Sequence, residues 1–395
     1  MKVSPPAAIQ PQGKTPMWTG PFAGSLVLAL LGFANLAAFY GLEPWLRGRG
    51  LGAAQAGIAI AAFTLVALVL IPPIARRVKP ATAGRCTVAG FGLTLLALPA
   101  YALVDGFAAL LALRLLHGLG FVLTLVGITT LFVAVVPPAR AGEAYSLFSV
   151  ADLLPFALLP PLMELTLPRF GDDPGMQYAA LALLQAPAMA LAFFLARRYP
   201  PPAEPPVATA TSRGGRRRSM PVLILLAANT GAFVAHAVLF TLAKPRALEM
   251  DGAALVGLFF MVQTGTIMVL RLTAGGFFDR LDQRRLGALG LALVTLALVL
   301  MASPFGANAL LPLALLFGLG FGAALPLLNA LMHHHSPPED RGENINLMML
   351  TLQVGYLFGP LVAGLVVSQA GYSAGFLMAA LCVAPAIPAL LRLPR

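Results

Sequence analysis

The sequence is poor in charged residues and in cysteine. Only 10% of its 395 residues are charged, whereas 59% are hydrophobic, and soluble globular domains have about 25% charged residues. A soluble chain of this length would need a larger polar surface. The two cysteines, Cys86 and Cys382, lie far apart in apolar stretches, which excludes a disulfide framework or a metal motif built on them. Both are expected to be small buried residues.

Several chemical signatures are also missing. The sequence has no Gly-rich phosphate loop with a lysine and no nucleophile elbow, so we expect neither ATP hydrolysis nor enzyme chemistry, and no cofactor. The run His333–His335 has no cysteine or carboxylate placed to complete a site, and consecutive side chains point in different directions, so no metal site is predicted. The net charge is +11, but the basic residues form no aromatic-interleaved face, which argues against a nucleic-acid partner.

Long apolar stretches are what the sequence has in abundance. A bilayer core of about 30 Å needs about 20 apolar residues per helix, and the N-terminus lacks the apolar core and cleavage site of a signal peptide. We therefore predict an all-α membrane protein that lies in a lipid bilayer and whose first span directs its own insertion. The twelve predicted spans cover residues 18–41, 52–74, 84–104, 107–133, 143–166, 176–196, 221–243, 253–278, 285–303, 307–332, 343–369 and 371–391.

The distribution of basic residues predicts the orientation. Nineteen of the 26 Lys and Arg residues fall on the side of the N-terminus, five fall on the other side, and two, Arg114 and Arg271, fall inside spans. The positive-inside rule then places both termini in the cytoplasm.

An internal repeat predicts two pseudo-symmetric six-helix bundles. Residues 115–121 (LLHGLGF) recur as 315–321 (LLFGLGF), and residues 137–143 (PPARAGE) recur as 337–343 (PPEDRGE), both at an offset of 200. Two such bundles can rock about a shared cavity and give alternating access. The predicted segments are a cytoplasmic tail at 1–17, a bundle at 18–196, a Pro- and Arg-rich cytoplasmic linker at 197–220, a second bundle at 221–391 and a tail at 392–395.

Three patterns in these spans resemble the major facilitator superfamily. One is a Gly followed four residues later by an Asp, in the predicted loop between helices 8 and 9. The resemblance implies that this aspartate, Asp279, contributes to a cytoplasmic gate. At the equivalent positions the first half has Ala75 and Lys79 in place of the Gly and the Asp. A second lies in helix 4, where Arg114, His117, Gly118 and Gly120 match the pattern except for His in place of Gln. The resemblance associates this arginine with proton coupling. The matching gate residues are Gly275, Asp279, Arg280, Arg284 and Arg285.

The third pattern is the Gly-Pro motif that the family's antiporters carry in helix 5. In this sequence helix 5 has Pro160 and Pro161 but no glycine past Gly142, whereas helix 11 has a similar arrangement of Gly355, Gly359, Pro360 and Gly364. Small residues let helices approach closely and proline bends them. The weakened motif in helix 5 reduces the support for antiport without excluding it.

Two carboxylates lie well inside apolar sequence, Asp152 and Glu164. At 1.5 Å per residue, Asp152 lies about 14 Å from the start of its span and Arg114 about 11 Å from the start of its own, on opposite sides. The two therefore have similar depths, and we predict that Asp152 rather than Glu164 pairs with Arg114. Asp152 is the first candidate for carrying a proton, Glu164 is the second, and a static ion pair is the alternative.

Other polar residues within the spans are candidates for contact with a substrate. Each has the alternative role of an interhelical hydrogen bond. They are Asn35, Tyr40, His117, Asn229, His236, Gln263, Asn329, Gln353 and Tyr356.

Together these features predict a secondary transporter of a small organic solute. The few charges and short loops resemble the bacterial twelve-helix exporters of drugs and metabolites, which implies proton-coupled efflux by a monomer in the bacterial inner membrane. The alternatives are proton symport or uniport for uptake of a sugar or organic acid, and a membrane scaffold or sensor that transports nothing. A scaffold would have little reason to keep charges at mid-membrane depth.

Overall fold

The structure is a computed structural model that describes residues 17–137, 140–198, 218–273 and 281–394. Every regular element in those ranges is a helix. The first half of the chain contributes α1 to α7 and the second half contributes α8 to α13. Their bounds are α1 Gly20–Ala37, α2 Leu42–Gly48, α3 Ala53–Arg77, α4 Pro80–Ala100, α5 Phe107–Val135, α6 Ala141–Thr166, α7 Pro174–Arg198, α8 Met220–Glu249, α9 Val256–Thr273, α10 Gln283–Ala302, α11 Leu310–His335, α12 Arg341–Val383 and α13 Ala386–Leu391.

The described residues form eleven helical stretches that are long and apolar enough to cross a membrane. The last stretch, Arg341–Leu391, has 51 residues, whereas a single crossing needs about 20. Gly371 interrupts it with a φ of 77° and a ψ of 177°, a conformation open to glycine but strained for other residues. The stretch therefore holds two crossings, and the all-α, twelve-span fold class is confirmed.

Two of the predicted spans are too short at one end. The first helix does not stop at residue 41, because a 3-10 turn at Ala38–Gly41 leads directly into α2. The seventh span does not stop at residue 243, because α8 continues to Glu249. These extensions bring Glu43 and Lys244, which were left outside the predicted spans, into the helical part of the fold.

Polar residues define the starts of two helices. The Thr19 side chain accepts a hydrogen bond from the Phe22 amide at the start of α1, which satisfies one of the free amides of a helix N-terminus. Asp282 does the same for the Arg284 and Arg285 amides at the start of α10. The Arg284 side chain, bonded to Asp282, also holds the pKa of that carboxyl below its ordinary value.

The 200-residue offset is repeated in the packing of the helices. A Cβ atom added to Gly118 on α5 would lie 2.8 Å from the Phe63 carbonyl oxygen on α3, and one added to Gly318 on α11 would lie 2.6 Å from the Gln263 carbonyl oxygen on α9. Glycine is required at both places because the backbones approach so closely. The same offset relates the close approach of Gly90 to Gly120 and that of Gly290 to Gly320.

The two halves meet through a small number of helices. Their contacts run through α3 against α12, α6 against α9, and α2 against α8. We call the end of the bundle where α1 begins the termini side, and the other end the far side. The predicted linker and both tails fall largely outside the described residues, so the proposed segment boundaries stay a prediction.

The cysteines differ from the expectation of two buried residues. Cys86 is half-buried, whereas Cys382 is exposed on the outer surface of α12. An apolar side chain is stable there because the outer face of a membrane helix contacts acyl chains rather than water.

Candidate functional site

A narrow pocket lies between the two halves. Its walls are aromatic and aliphatic side chains with a few polar groups, as in sites for small molecules. We call it the central pocket. Its lining residues are Leu36, Phe39, Leu42, Glu43, Ile60, Phe63, Thr64, Arg114, Phe240, Thr241, Tyr356 and Pro360.

Arg114 supplies the positive charge of the central pocket. Its Nε donates to the Ala59 carbonyl oxygen at 3.2 Å, and its Nη1 donates to the Tyr101 hydroxyl at 3.3 Å. The guanidinium carbon also lies 5.2 Å from the Phe39 ring centroid and 4.7 Å from that of Phe63. Carbonyl dipoles and aromatic faces both stabilise a cation that has little access to water.

A chain of hydrogen bonds runs behind Arg114. The Tyr101 hydroxyl lies 3.0 Å from Nδ1 of His117, and Nε2 of His117 lies 3.0 Å from Oδ1 of Asn35. The amide oxygen of Asn35 can only accept, so His117 carries its proton on Nε2 and accepts from Tyr101 at Nδ1. All four side chains are buried, and the chain fixes the orientation of Arg114.

A second tyrosine–histidine pair stands in the second half. Tyr356 lines the central pocket, and its hydroxyl lies 2.7 Å from Nδ1 of His236. Nε2 of His236 lies 3.3 Å from Nε2 of Gln263. The amide nitrogen of Gln263 donates, so His236 accepts at Nε2 and carries its proton on Nδ1, which donates to Tyr356.

A charged contact joins the halves on the far side. Glu164 Oε1, on α6, accepts from Lys244 Nζ at 2.7 Å and from the Tyr40 hydroxyl at 2.6 Å. The side chains of Lys244 and Glu164 are only 12% and 24% exposed. We call these three residues the far-side latch. Because α8 belongs to the second half, the latch holds the two halves together.

A second carboxylate, that of Glu43, also forms a contact between the two halves on the far side. The Tyr372 hydroxyl on α12 lies 3.1 and 3.3 Å from the two carboxylate oxygens of Glu43 on α2. Gly57 packs against the Pro360 backbone, and Gly257 packs against Pro161. The halves are therefore tightly packed on the far side of the central pocket.

Asp152 and Arg114 are not paired, so that prediction was wrong. Within the described part of the chain no ion pair joins them, and Oδ1 of Asp152 is buried without a hydrogen-bond partner. The charge that acts on Asp152 comes from Arg271 on α9, and Arg271 donates to Ser149 Oγ at 2.9 Å. Asp152 faces α9 whereas Arg114 faces α3, so the two side chains point to different neighbouring helices.

The remaining candidates have ordinary packing contacts. Asn229 donates to the Met348 carbonyl oxygen and to Thr351 Oγ1, and Asn329 donates to the Leu325 carbonyl oxygen of its own helix. None of these lines the central pocket. Gln353 is half-buried and makes no hydrogen bond to another residue of the described ranges.

Only part of the predicted gate motif can be described. Gly275, Asp279 and Arg280 lie outside the described residues. Arg284 and Arg285 contact Asp282 at 3.0 and 3.6 Å, and Arg284 also donates to the Leu393 carbonyl oxygen. These two arginines stabilise the start of α10 and connect it to the C-terminal residues of the same half.

Sequence reasoning missed four residues of the site: Glu43, Tyr101, Lys244 and Tyr372. Glu43 and Lys244 follow directly on apolar runs, and the predicted spans ended just before them. The sequence could have indicated them if the helices had been extended past the apolar runs to include the first charged residues, because paired charges are tolerated at membrane depth. Nothing in the sequence pointed to the two tyrosines.

A twelve-span bundle with a polar pocket between two sets of helices has the architecture of a multi-pass membrane transporter. The family model described as Major Facilitator Superfamily matches residues 22–343 and 247–395. The chain belongs to the major facilitator superfamily.

Individual relatives match over shorter segments or at lower identity. The di-/tripeptide transporter of Lactococcus lactis subsp. cremoris is 32% identical over 124 residues, which is 30% of this chain and 24% of that protein. The probable anion transporter 3 of Arabidopsis thaliana chloroplasts is 32% identical over 106 residues, 26% of this chain and 21% of that one. The chain thus matches about a quarter of the length of these relatives.

Solved structures share the fold along nearly the whole chain. The nucleoside transporter NupG has a TM-score of 0.71 at 16% identity and covers 95% of this chain and 100% of its own. A bacterial homolog of the human lysosomal transporter Spinster, inward-facing and unoccupied, has a TM-score of 0.70 at 14% identity, with 96% of both chains covered. At these identities the likeness concerns the fold alone.

Proposed function

We propose that this protein is a proton-coupled secondary transporter that exports a small organic solute by alternating access. It would act in the bacterial inner membrane with both termini in the cytoplasm. The observation that carries the proposal is the far-side latch, in which one carboxylate, Glu164, binds a lysine of the other half. A proton would act on the position of the two halves by breaking that ion pair.

The latch responds to protonation because its strength depends on opposite charges. An ion pair that is largely shielded from water is stable only while both charges are present. Protonation of Glu164 leaves the Lys244 ammonium without its counter-charge in a poorly hydrated place. Opening the far side hydrates Lys244 and relieves this cost, so a proton from that side would favour the outward-open state.

A second titratable position serves the termini side. Asp152 lies on the same helix as Glu164, about three turns closer to the termini side, and is acted on by Arg271 of the other half. We propose that Asp152 takes up and releases the proton there. Arg114, held in place through Tyr101, would contact the substrate in the central pocket.

A second candidate function is proton symport or uniport for the uptake of a polar solute. It is favoured by the charged wall of the central pocket and by the names of similar proteins, which are transporters of peptides, nucleosides and anions. In this case proton and solute would move in the same direction. A scaffold or sensor is disfavoured because the charges between the halves contact one another rather than an outside surface.

The test is transport by the purified protein in liposomes with an imposed pH gradient. The expected result is solute accumulation that follows the gradient and collapses when a protonophore is added. Glu164→Gln should lose the dependence on the gradient. Glu249→Gln is the matched control, because Glu249 lies at the same end of α8 but pairs with Arg246 of its own helix. Saturable flux that ignores the gradient in the unmodified protein would contradict proton coupling.

A further inference from the structure

We propose that the central pocket selects a zwitterion, a solute that carries both an ammonium and a carboxylate group. Arg114 would bind the carboxylate and Glu43 the ammonium. The inference rests on the proposed transport function and adds the chemical class of its substrate.

Arg114 has capacity left for an anion. A guanidinium has five N–H groups, and the contacts of Arg114 use Nε, one N–H of Nη1 and one N–H of Nη2, the last at a long 3.5 Å from the Ile60 carbonyl oxygen. None of its partners in the described ranges is a carboxylate. The two free N–H groups suit a carboxylate, which binds guanidinium groups with two oxygens.

Glu43 is a carboxylate without a positively charged partner among the described residues. It is only 3% exposed, and the side chain that bonds it is the neutral Tyr372 hydroxyl. No lysine or arginine forms an ion pair with it in the part of the chain that the structure describes. Arg47 and Glu249 act on it electrostatically with opposite signs. Arg47 is exposed, donates to the Leu51 carbonyl oxygen and also interacts with the Tyr372 hydroxyl rather than with Glu43 itself. A carboxylate has about four acceptor sites, so an ammonium donor fits here.

Arg114 and Glu43 line the same pocket, and within the described ranges neither forms an ion pair with an oppositely charged side chain. A buried charge without a counter-charge is costly, and removing the cost requires an opposite charge close by. An anionic solute would satisfy Arg114 but bring a like charge towards Glu43, and a cationic solute would do the reverse. A zwitterion satisfies both and brings no net charge into the membrane.

The geometry also separates the two charges along one helical stretch. The Arg114 guanidinium lies over the Phe39 ring, and Glu43 follows Phe39 by four residues, about one helical turn. The solute would therefore lie along the end of the first span, against Phe39. Tyr356 lines the pocket from the second half.

The experiment compares binding of three matched probes to the purified protein by calorimetry. The probes are dialanine, N-acetyl-dialanine and dialanine amide, and the same set is repeated with alanine to separate peptides from single amino acids. In at least one set the zwitterion should bind at least tenfold more tightly than either blocked form. Glu43→Gln should weaken binding of the zwitterion and of the amide about tenfold and should not weaken binding of the N-acetyl form.

Arg114 provides the reciprocal variant. Arg114→Gln should weaken binding of the zwitterion and the N-acetyl form but not of the amide. If that variant does not fold, Arg114→Lys keeps the charge and should show the same selectivity with a smaller loss. Asp105→Asn, which removes a carboxylate whose side chain is 98% exposed in a loop, should leave all three affinities unchanged.

The outcomes separate this inference from the transport proposal. If blocked and unblocked probes bind within twofold of one another in both sets, or if Glu43→Gln weakens all of them equally, the zwitterion inference is wrong. Gradient-driven flux of another solute that the zwitterion does not inhibit would overturn this inference alone. Selective zwitterion binding without gradient-driven flux would overturn proton coupling alone.

Discussion

Nε2 of His117 lies 3.0 Å from Oδ1 of Asn35, and this contact joins α5 to α1 behind the central pocket. His117 also accepts from Tyr101, which in turn accepts from Arg114. A wholly buried imidazole thus positions a charged group that reaches the pocket. The arrangement depends on a neutral imidazole with its proton on Nε2.

Replacing His117 with phenylalanine should destabilise the protein. Phe317 occupies the equivalent position of the repeat, so the ring fits the packing, but Asn35 and Tyr101 lose their partner. A buried polar group left unsatisfied costs about 1–3 kcal/mol. The thermal unfolding midpoint in detergent should fall, whereas His334→Phe, on an exposed residue at the end of α11, should leave it unchanged. Equal midpoints for the two variants would contradict the hydrogen-bond chain.

Alanine at Gly118 or Gly318 should destabilise the protein to a similar degree. At both positions the new Cβ atom would press on a backbone carbonyl oxygen, at 2.8 Å and 2.6 Å respectively, and overpacking of this kind costs about 1–3 kcal/mol. Gly142→Ala is the control, because nothing lies within 4 Å of its added Cβ. Unfolding midpoints should rank the control well above the other two. An unfolding midpoint that Gly118→Ala leaves unchanged would show that α3 and α5 can move apart freely.

Breaking the far-side latch should open the pocket to the far side. The starting variant carries Cys86→Ala and Cys382→Ala, which remove the native cysteines. Thr241→Cys then places a reporter cysteine in the wall of the central pocket. Lys244→Met or Glu164→Gln should increase its labelling by an impermeant maleimide applied to intact cells several-fold. The charge exchange Glu164→Lys with Lys244→Glu should restore slow labelling. Unchanged labelling in both single variants would exclude a closing role for the ion pair.

Asp152→Asn should uncouple transport from the proton gradient. The amide cannot take up a proton, but it keeps the size of the side chain, so expression and solute exchange at equal pH should be retained. Accumulation driven by a pH gradient in liposomes should be lost. Asp105→Asn removes a carboxylate whose side chain is 98% exposed in a loop and should transport normally. Full gradient-driven accumulation by Asp152→Asn would remove Asp152 from the mechanism.

The comparison of Arg114 with Asp152 shows what a hydropathy pattern predicts. Apolar run lengths and the helical rise place a residue at a depth, and both residues lie inside the spans as expected. Which neighbour each one faces depends on how the helices are rotated and packed. The sequence of a single helix carries little of that information when apolar residues surround it on every side, as on α5 and α6.

Glu43 and Lys244 show a different limit. A boundary drawn at the first charged residue assumes that charges leave the membrane. In the structure Glu43 is stabilised by a tyrosine of the other half and Lys244 by Glu164, which is a tertiary effect. By contrast, the repeat could be predicted from the sequence, because a close helix contact requires glycine and the same glycines therefore recur in both halves.

The repeat preserves the framework of the bundle but not its chemistry. The close-packed glycines recur at an offset of 200, whereas Arg114 and His117 correspond to Ala314 and Phe317, and His236 and Tyr356 correspond to Leu36 and Phe156. The first half therefore supplies both charged walls of the pocket, and the second supplies a neutral tyrosine–histidine wall. In a rocking motion of the two halves, a solute bound to these charges would stay with the first half. The neutral wall of the second half would then move past the solute as the pocket changes the side to which it opens.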